Sequence, residues 1–421
     1  ALVPDPAGVE AVILTHAHFD HSGMLPLLAK RGFRGNIYST PATRDLANLI
    51  MMDSARIQER DAEYLAKQAA KRGEVFDWKP LYDEVDAVQA TSQFVTLDYD
   101  RPINLGDFTL RFRDAGHILG SATVHLTLKD SGGRSLRLGF SGDLGRPGKA
   151  IIRDPAQMDP VDWLVMESTY GDRLHQKSDE AIDTLARTVR ETAERRGKVI
   201  IPAFAVERTQ EIIYHLHLLV EAGKIPRIPI WVDSPMAINA TSIFQVHPEC
   251  YDRETHETFL SQHKNPFGFD ELDFSRTVDQ SKALNAMQGP AIIISADGMC
   301  EAGRIQHHLI HTIDDERNTI LIVGYMAANT LGRRIRDGQK QVRIHGNLFD
   351  VRARVEKIDA FSAHADYQEI WDWMSTMDLS QLKGVLLVHG EDEALAALKT
   401  YLGNKGVPNV TIVEPGQSYD M

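Results

Sequence analysis

Val9-Glu10-Ala11-Val12-Ile13-Leu14-Thr15-His16-Ala17-His18-Phe19-Asp20-His21 runs an apolar segment straight into three imidazoles and a carboxylate. Residues 9–15 read as a buried strand, and the polar cluster falls where such a strand ends. In an extended segment alternate side chains share a side, so His16 and His18 point the same way. A turn through Phe19 then carries Asp20 and His21 to a second centre. Imidazole and carboxylate without thiolate suit a borderline divalent ion such as zinc. The competing reading is a surface cluster in which Asp20 or Ser22 caps a helix beginning near Gly23. Four ligand-type side chains closing one apolar strand favour the metal.

Composition sets the outer limits. The chain has 421 residues, 43% hydrophobic and 25% charged, which describes a globular protein of one large domain or two to three ordinary ones. No apolar stretch reaches membrane-spanning length, and no signal peptide is read before the first strand. Cys250 and Cys300 are too few for a disulfide framework, so a cytoplasmic location is expected. A net charge of −13 argues against a surface that coats nucleic acid broadly, while leaving room for a local basic groove.

Strands are expected at 9–15, 36–39, 108–113, 122–128, 135–141 and 161–166, with a helix over 41–70. Leu46, Leu49, Ile50, Ile57 and Leu65 supply the spacing of that helix. From about residue 178 the pattern becomes a regular alternation. Helices are expected at 181–195 and 209–222, and strands at 198–201, 229–232, 290–295 and 319–323. That rhythm predicts a mostly parallel sheet covered by helices. Short strands return at 348–351 and 354–358, followed by a helix, a strand at 384–388 and a final helix. One domain interrupted by another accounts for the order.

Further ligand-type residues recur at strand ends. His117 stands in Asp114-Ala115-Gly116-His117-Ile118-Leu119-Gly120, Asp143 in Ser141-Gly142-Asp143-Leu144-Gly145, and His389 directly after an apolar run. With the first cluster these make seven candidates, enough for two ions. Glu167, in Glu167-Ser168-Thr169-Tyr170-Gly171, and His364, in Ser362-Ala363-His364-Ala365-Asp366, are acid–base candidates. Their plainer readings are a buried hydrogen bond for His364 and a helix cap for Asp366.

The cluster His16–His21, His117 and Asp143 resembles the metallo-β-lactamase superfamily. Glu167, the segment around His364, and Val388-His389-Gly390-Glu391 resemble the three motifs of its β-CASP branch, which includes nucleases of pre-mRNA cleavage and polyadenylation. The segments 201–211, 232–236, 324–325 and 330–333 extend the resemblance to nearly the whole chain. It implies an α/β fold: an αββα metallo-β-lactamase sandwich in two parts, 1–177 and 346–421, around an inserted β-CASP domain at 178–345 with a mostly parallel sheet. Only residues 1–10 precede the first strand, so the sandwich is expected to lack its N-terminal strands and some support for the ligands.

The resemblance further implies two zinc ions. His16, His18 and His117 would hold one, Asp20, His21 and His389 the other, with Asp143 bridging them. A hydroxide between the ions, oriented by Asp20, would attack phosphorus, and His364 steadied by Glu167 would protonate the leaving oxygen. The implied activity is that of an endonuclease on single-stranded RNA, with 5′-exonuclease action as an addition. His389 favours RNA, because DNA-repair members of the branch usually carry an apolar residue there. The insert would act as a lid, with Phe204 stacking on a base and Arg208, Arg304, Arg333 and Ser362 contacting the backbone. Asp297, Glu301-Ala302 and Asn329 replace smaller residues expected at those positions. Two other readings compete: a small-molecule metallo-hydrolase, and a catalytically weak subunit of an RNA-processing complex. No membrane partner is implied, and a homodimer is one assembly open to the chain.

Overall fold

The computed structural model describes residues 5–129, 135–175, 178–358 and 361–419. The chain forms two compact units. Unit 1 comprises residues 1–149, 153–174 and 363–421, and unit 2 comprises 150–152 and 175–362. The expected first boundary, at 177–178, abuts residues 176–177, which lie outside the described residues. At the second, unit 2 runs past the expected 345 to Ser362.

Unit 1 opens with a parallel three-stranded sheet made of β1 (Ala11–Ile13), β2 (Asn36–Ser39) and β3 (Phe94–Thr96), in that order. Its next strands are β4 (Ile103–Leu105), β5 (Phe108–Asp114), β6 (Ala122–Lys129), β7 (Ser135–Phe140) and β8 (Trp163–Met166). The steps from β4 to β7 are antiparallel, whereas β8 lies parallel to β7. Along β5 the alternation is clean. Leu110 and Phe112 are buried, while Arg111 and Arg113 share the other side and pair with Asp159.

Unit 2 holds β9 (Lys198–Pro202), β10 (Ile230–Val232), β11 (Leu272–Phe274), β12 (Ala291–Ser295), β13 (Thr319–Ile322), β14 (Gln341–Ile344), β15 (Asn347–Asp350) and β16 (Arg354–Lys357). Six of these form a parallel sheet in the order β11-β10-β12-β9-β13-β16, and β14 and β15 form a hairpin. Every residue of β9 and β12 is buried, which is why their centres, 199–201 and 291–294, are continuously apolar. The pairing of β16 with β13 carries unit 2 past residue 345.

The chain then returns to unit 1 for β17 (Gly384–Leu387) and β18 (Val410–Ile412), completing a seven-stranded sheet ordered β18-β17-β8-β7-β6-β5-β4. A core of Leu164, Met166, Val385, Leu387, Ile370, Trp373 and Leu398 fixes β8 and β17 against their helices. The helix expected over 41–70 spans Pro41–Arg72, capped by the Thr40 hydroxyl and ended by Gly73 at φ +69°. Its packing is uneven. Leu46 and Ile50 are buried, but Ile57 and Leu65 face solvent, because only the first half lies over the rest of unit 1.

Candidate metal centre

Local geometry delivers the candidate ligands to one edge of unit 1. After β1, Leu14 N–H still donates to Tyr38 O at 2.8 Å, and the chain then leaves the sheet through the fully buried His16. A single helical turn, Phe19–Ser22 with His18 at its N-cap position, holds Asp20 and His21 and precedes the helix expected near Gly23. That helix spans Leu25–Lys30 with Met24 at its N-cap position, so neither Asp20 nor Ser22 caps it. Ser22 Oγ instead donates to Ala17 O at 2.8 Å and His18 O at 3.1 Å, which ties the turn to the strand end.

Asp143, Glu167 and His389 follow β7, β8 and β17. These are three neighbouring parallel strands, so their carboxyl ends open on one side, where parallel sheets place ligands. His117 arrives from the end of β5. The loop bearing Asp143 can approach it only through glycine, since a Cβ on Gly145 would lie 1.6 Å from Gly116 O.

Asp143 stands between two groups of side chains. Its Oδ2 lies 3.3 Å from His16 Nε2 and 3.6 Å from His117 Nε2, and its Oδ1 lies 3.4 Å from His21 Nε2 and 3.7 Å from His389 Nδ1. On the first side, His18 Nδ1 sits 3.2 Å from His16 Nε2 and 3.1 Å from His117 Nε2. On the second, Asp20 Oδ2 is 3.2 Å from His389 Nε2 and 3.7 Å from His21 Nε2. Burial pushes His16 below the ordinary imidazole range, His18 to about 3 and His117 far down, which favours the neutral, lone-pair-bearing form of all three rings. Burial of Asp143 works the other way, yet the neighbouring His16 and His21 hold its carboxyl well below the usual range. The Asp20 carboxylate, accepting from His389, raises that ring to about 9 and is itself depressed.

This donor set fits divalent ions. His16, His18, His117 and Asp143 each offer one atom within 4.8 Å of the others, and so do Asp20, His21 and His389. His21 Nε2 and Asp143 Oδ1 are buried polar atoms without a hydrogen-bond partner, a costly arrangement unless a cation satisfies both. His117 Nδ1 lies 3.3 Å from Ala363 O. A carbonyl only accepts, so the ring proton sits on Nδ1 and the Nε2 lone pair faces the cluster.

Beside this cluster lie the two acid–base candidates, His364 and Glu167. His364 Nδ1 is 3.0 Å from Glu167 Oε1 and 3.1 Å from Oε2. Leu144 N–H and Thr169 N–H donate to the same carboxylate at 2.6 and 3.2 Å, fixing it in place. Burial alone would lower the His364 pKa, but Glu167 raises it above the ordinary value. Asp366 caps the helix Tyr367–Met374 through Gln368 N–H and Glu369 N–H, as its plainer reading has it.

The five residues expected at RNA all belong to unit 2 and divide into two kinds. Arg208 is buried and paired with Glu211, and Arg304 donates to Asp233 Oδ1 at 2.6 Å and Ser275 O at 3.0 Å. Both are therefore committed within the unit. Phe204 is 40% exposed after β9, while Arg333, paired with Asp337, and Ser362 are half-buried. The departures at 297, 301 and 329 have local roles. Asp297 accepts from Glu301 N–H at 3.0 Å and Ala302 N–H at 3.2 Å, and Glu301 accepts from Leu331 N–H. Asn329 sits at φ +68°, where glycine is otherwise favoured and asparagine is tolerated. Residues that the sequence reading passed over include Asp233, buried between His308, Ser281 and Arg304, and Thr169, whose hydroxyl lies against His389. Both lie in segments that carry the resemblance, 167–171 and 232–236, and that was the available signal; no local pattern pointed to their contacts.

Three family models match the chain: the metallo-beta-lactamase superfamily over residues 1–203, the Beta-Casp domain over 209–335, and the Zn-dependent metallo-hydrolase RNA specificity domain over 349–412. Ribonuclease TTHA0252 of Thermus thermophilus is 37% identical over 402 residues, covering 96% of this chain and 86% of that protein. The transcription termination factors FttA of Methanosarcina mazei and Pyrococcus abyssi are 31% and 33% identical; the chain spans 61% and 60% of their length. A crystal structure of an Enterococcus faecalis protein of unknown function shares the fold, with a TM-score of 0.53 at 12% identity over 97% of this chain and 80% of that one. Among the described residues, no helix is long and apolar enough to cross a membrane.

Proposed function

The chain belongs to the β-CASP branch of the metallo-β-lactamase superfamily, and from that premise we propose that it is a metal-dependent nuclease that hydrolyses single-stranded RNA. We assign His16, His18 and His117 to one zinc ion and Asp20, His21 and His389 to the other, with Asp143 shared. The observation that carries the assignment is Asp143 itself, one oxygen toward each group. When bound, the two ions would polarise a phosphodiester and bring a water's pKa near neutrality.

The chain's own residues supply the rest. His117 is held in the ligating tautomer by Ala363 O, and His16 Nδ1 lies 3.1 Å from the Thr15 hydroxyl, which aims its Nε2 at Asp143. His364, protonated and fixed by Glu167, presents its remaining N–H to the leaving oxygen and gives up that proton as the P–O bond breaks. Phe204, Arg333 and Ser362 are the candidates for touching the RNA. Arg208 and Arg304 are better assigned to holding unit 2 together. Internal cutting is the principal mode, with trimming from the 5′ end as a second. Cys250 and Cys300, both buried thiols, suit a reducing cytoplasm.

The test is cleavage of single-stranded RNA labelled at either end. The zinc-loaded chain yields internal fragments from both labels, a chelator abolishes them, and added zinc restores them. Cleavage that persists in chelator, or a fully loaded protein that leaves RNA intact, contradicts the reading. The second outcome would favour the weak-subunit alternative.

A further inference from the structure

We propose that Thr169 is a positioning residue that sets the ligating tautomer of His389 and so controls occupancy of the second metal position; this rests on the two-ion reading above. Thr169 lies just beyond the end of β8, and His389 lies just beyond the end of the parallel neighbour β17. The threonine Oγ1 is 3.1 Å from His389 Nδ1 and 3.3 Å from His389 O. A hydroxyl has one proton to give. Donated to the carbonyl, it leaves an oxygen lone pair facing Nδ1, which then has to be the protonated nitrogen. An ion that takes the place of the proton His389 Nε2 gives Asp20 Oδ2 at 3.2 Å would leave the ring its single proton on Nδ1 and find the Nε2 lone pair.

The backbone reinforces the arrangement. His389 adopts φ +53°, the left-handed region, and its carbonyl also accepts from Ser168 N–H at 3.0 Å. Thr169 N–H donates to Glu167 Oε2, so one residue touches both the second metal position and the acid–base pair. The first metal position has its own device in Ala363 O at His117 Nδ1. Thr169 gives the second position the equivalent one.

Thr169→Val keeps the shape and removes the hydroxyl, and Thr169→Ser keeps the hydroxyl and removes the methyl. The full chain is titrated with zinc against a chromophoric chelator, and the cobalt-loaded protein supplies a ligand-field spectrum. We expect two equivalents in the wild type. In Thr169→Val the weaker-held ion loses about 10–100-fold in affinity with an altered cobalt spectrum, the other ion is unchanged, and Thr169→Ser restores both. Wild-type affinities and spectrum in Thr169→Val, equal weakening of both ions, or failure of Thr169→Ser to restore binding overturns the inference. A wild-type chain that binds fewer than two ions overturns the two-ion reading beneath it, and that result is distinguishable from the others.

Discussion

Asp143→Asn lowers RNA cleavage by more than about 100-fold and takes the metal content from two ions to one or none. Residues one layer behind a metal already cost about 10–100-fold when lost, and Asp143 is proposed to touch both ions. Its two oxygens face different histidine groups, at 3.3 Å on one side and 3.4 Å on the other. Asparagine preserves the buried volume but offers one oxygen and no negative charge. The Oδ1 position, which has no hydrogen-bond partner, can then become an amide with nothing to donate to. Metal analysis after dialysis, paired with initial rates, checks both halves. Two retained ions with a rate within a few-fold of wild type would remove Asp143 from the bridging position.

The second large effect is on proton transfer. His364→Ala lowers kcat by about 10²–10⁴-fold while both ions stay bound, because general acid catalysis contributes on that scale. Glu167→Gln has a smaller effect, about 10–100-fold, since it removes only the carboxylate that orients and charges the ring. The pH profile separates this role from a structural one. Glu167 raises the His364 pKa despite burial, so the ring keeps its proton to higher pH than a free imidazole. The acid form is present below that pKa and lost above it, so the wild-type rate falls as pH rises through it. Deleting His364 removes that descending limb. An unchanged profile in a metal-replete His364→Ala protein would end the assignment.

Much of the architecture is written locally. Residues 36–39 form a strand with the expected bounds, and the apolar runs of β9 and β12 announce a buried parallel sheet before any pairing is known. What escapes is set by tertiary partners. β3, β4 and β18 are three-residue strands that exist because a neighbour pairs with them. β1 is shorter than the apolar run at 9–15, because only Ala11–Ile13 register with β2 before the chain turns toward the ligands.

The site divides in the same way. His16, His18, Asp20 and His21 are legible together because six residues carry all four. Their division between two groups was expected from the turn through Phe19 and from the resemblance; what the sequence could not give was the placing of Asp143, one oxygen toward each group. Arg208 and Arg304 looked like backbone contacts for RNA. The partner of Arg304, Asp233, is 71 residues away in sequence, beyond any local pattern. Thr169 was read as part of a motif rather than as a contact of His389, which lies 220 residues on.

The most direct measurement is an anomalous difference map at the zinc edge from crystals of the zinc-loaded protein. Two peaks are predicted, one among His16, His18 and His117 and one among Asp20, His21 and His389, with Asp143 lying between them. A single peak, or peaks away from Asp143, would contradict the two-ion centre on which the proposed RNA cleavage depends.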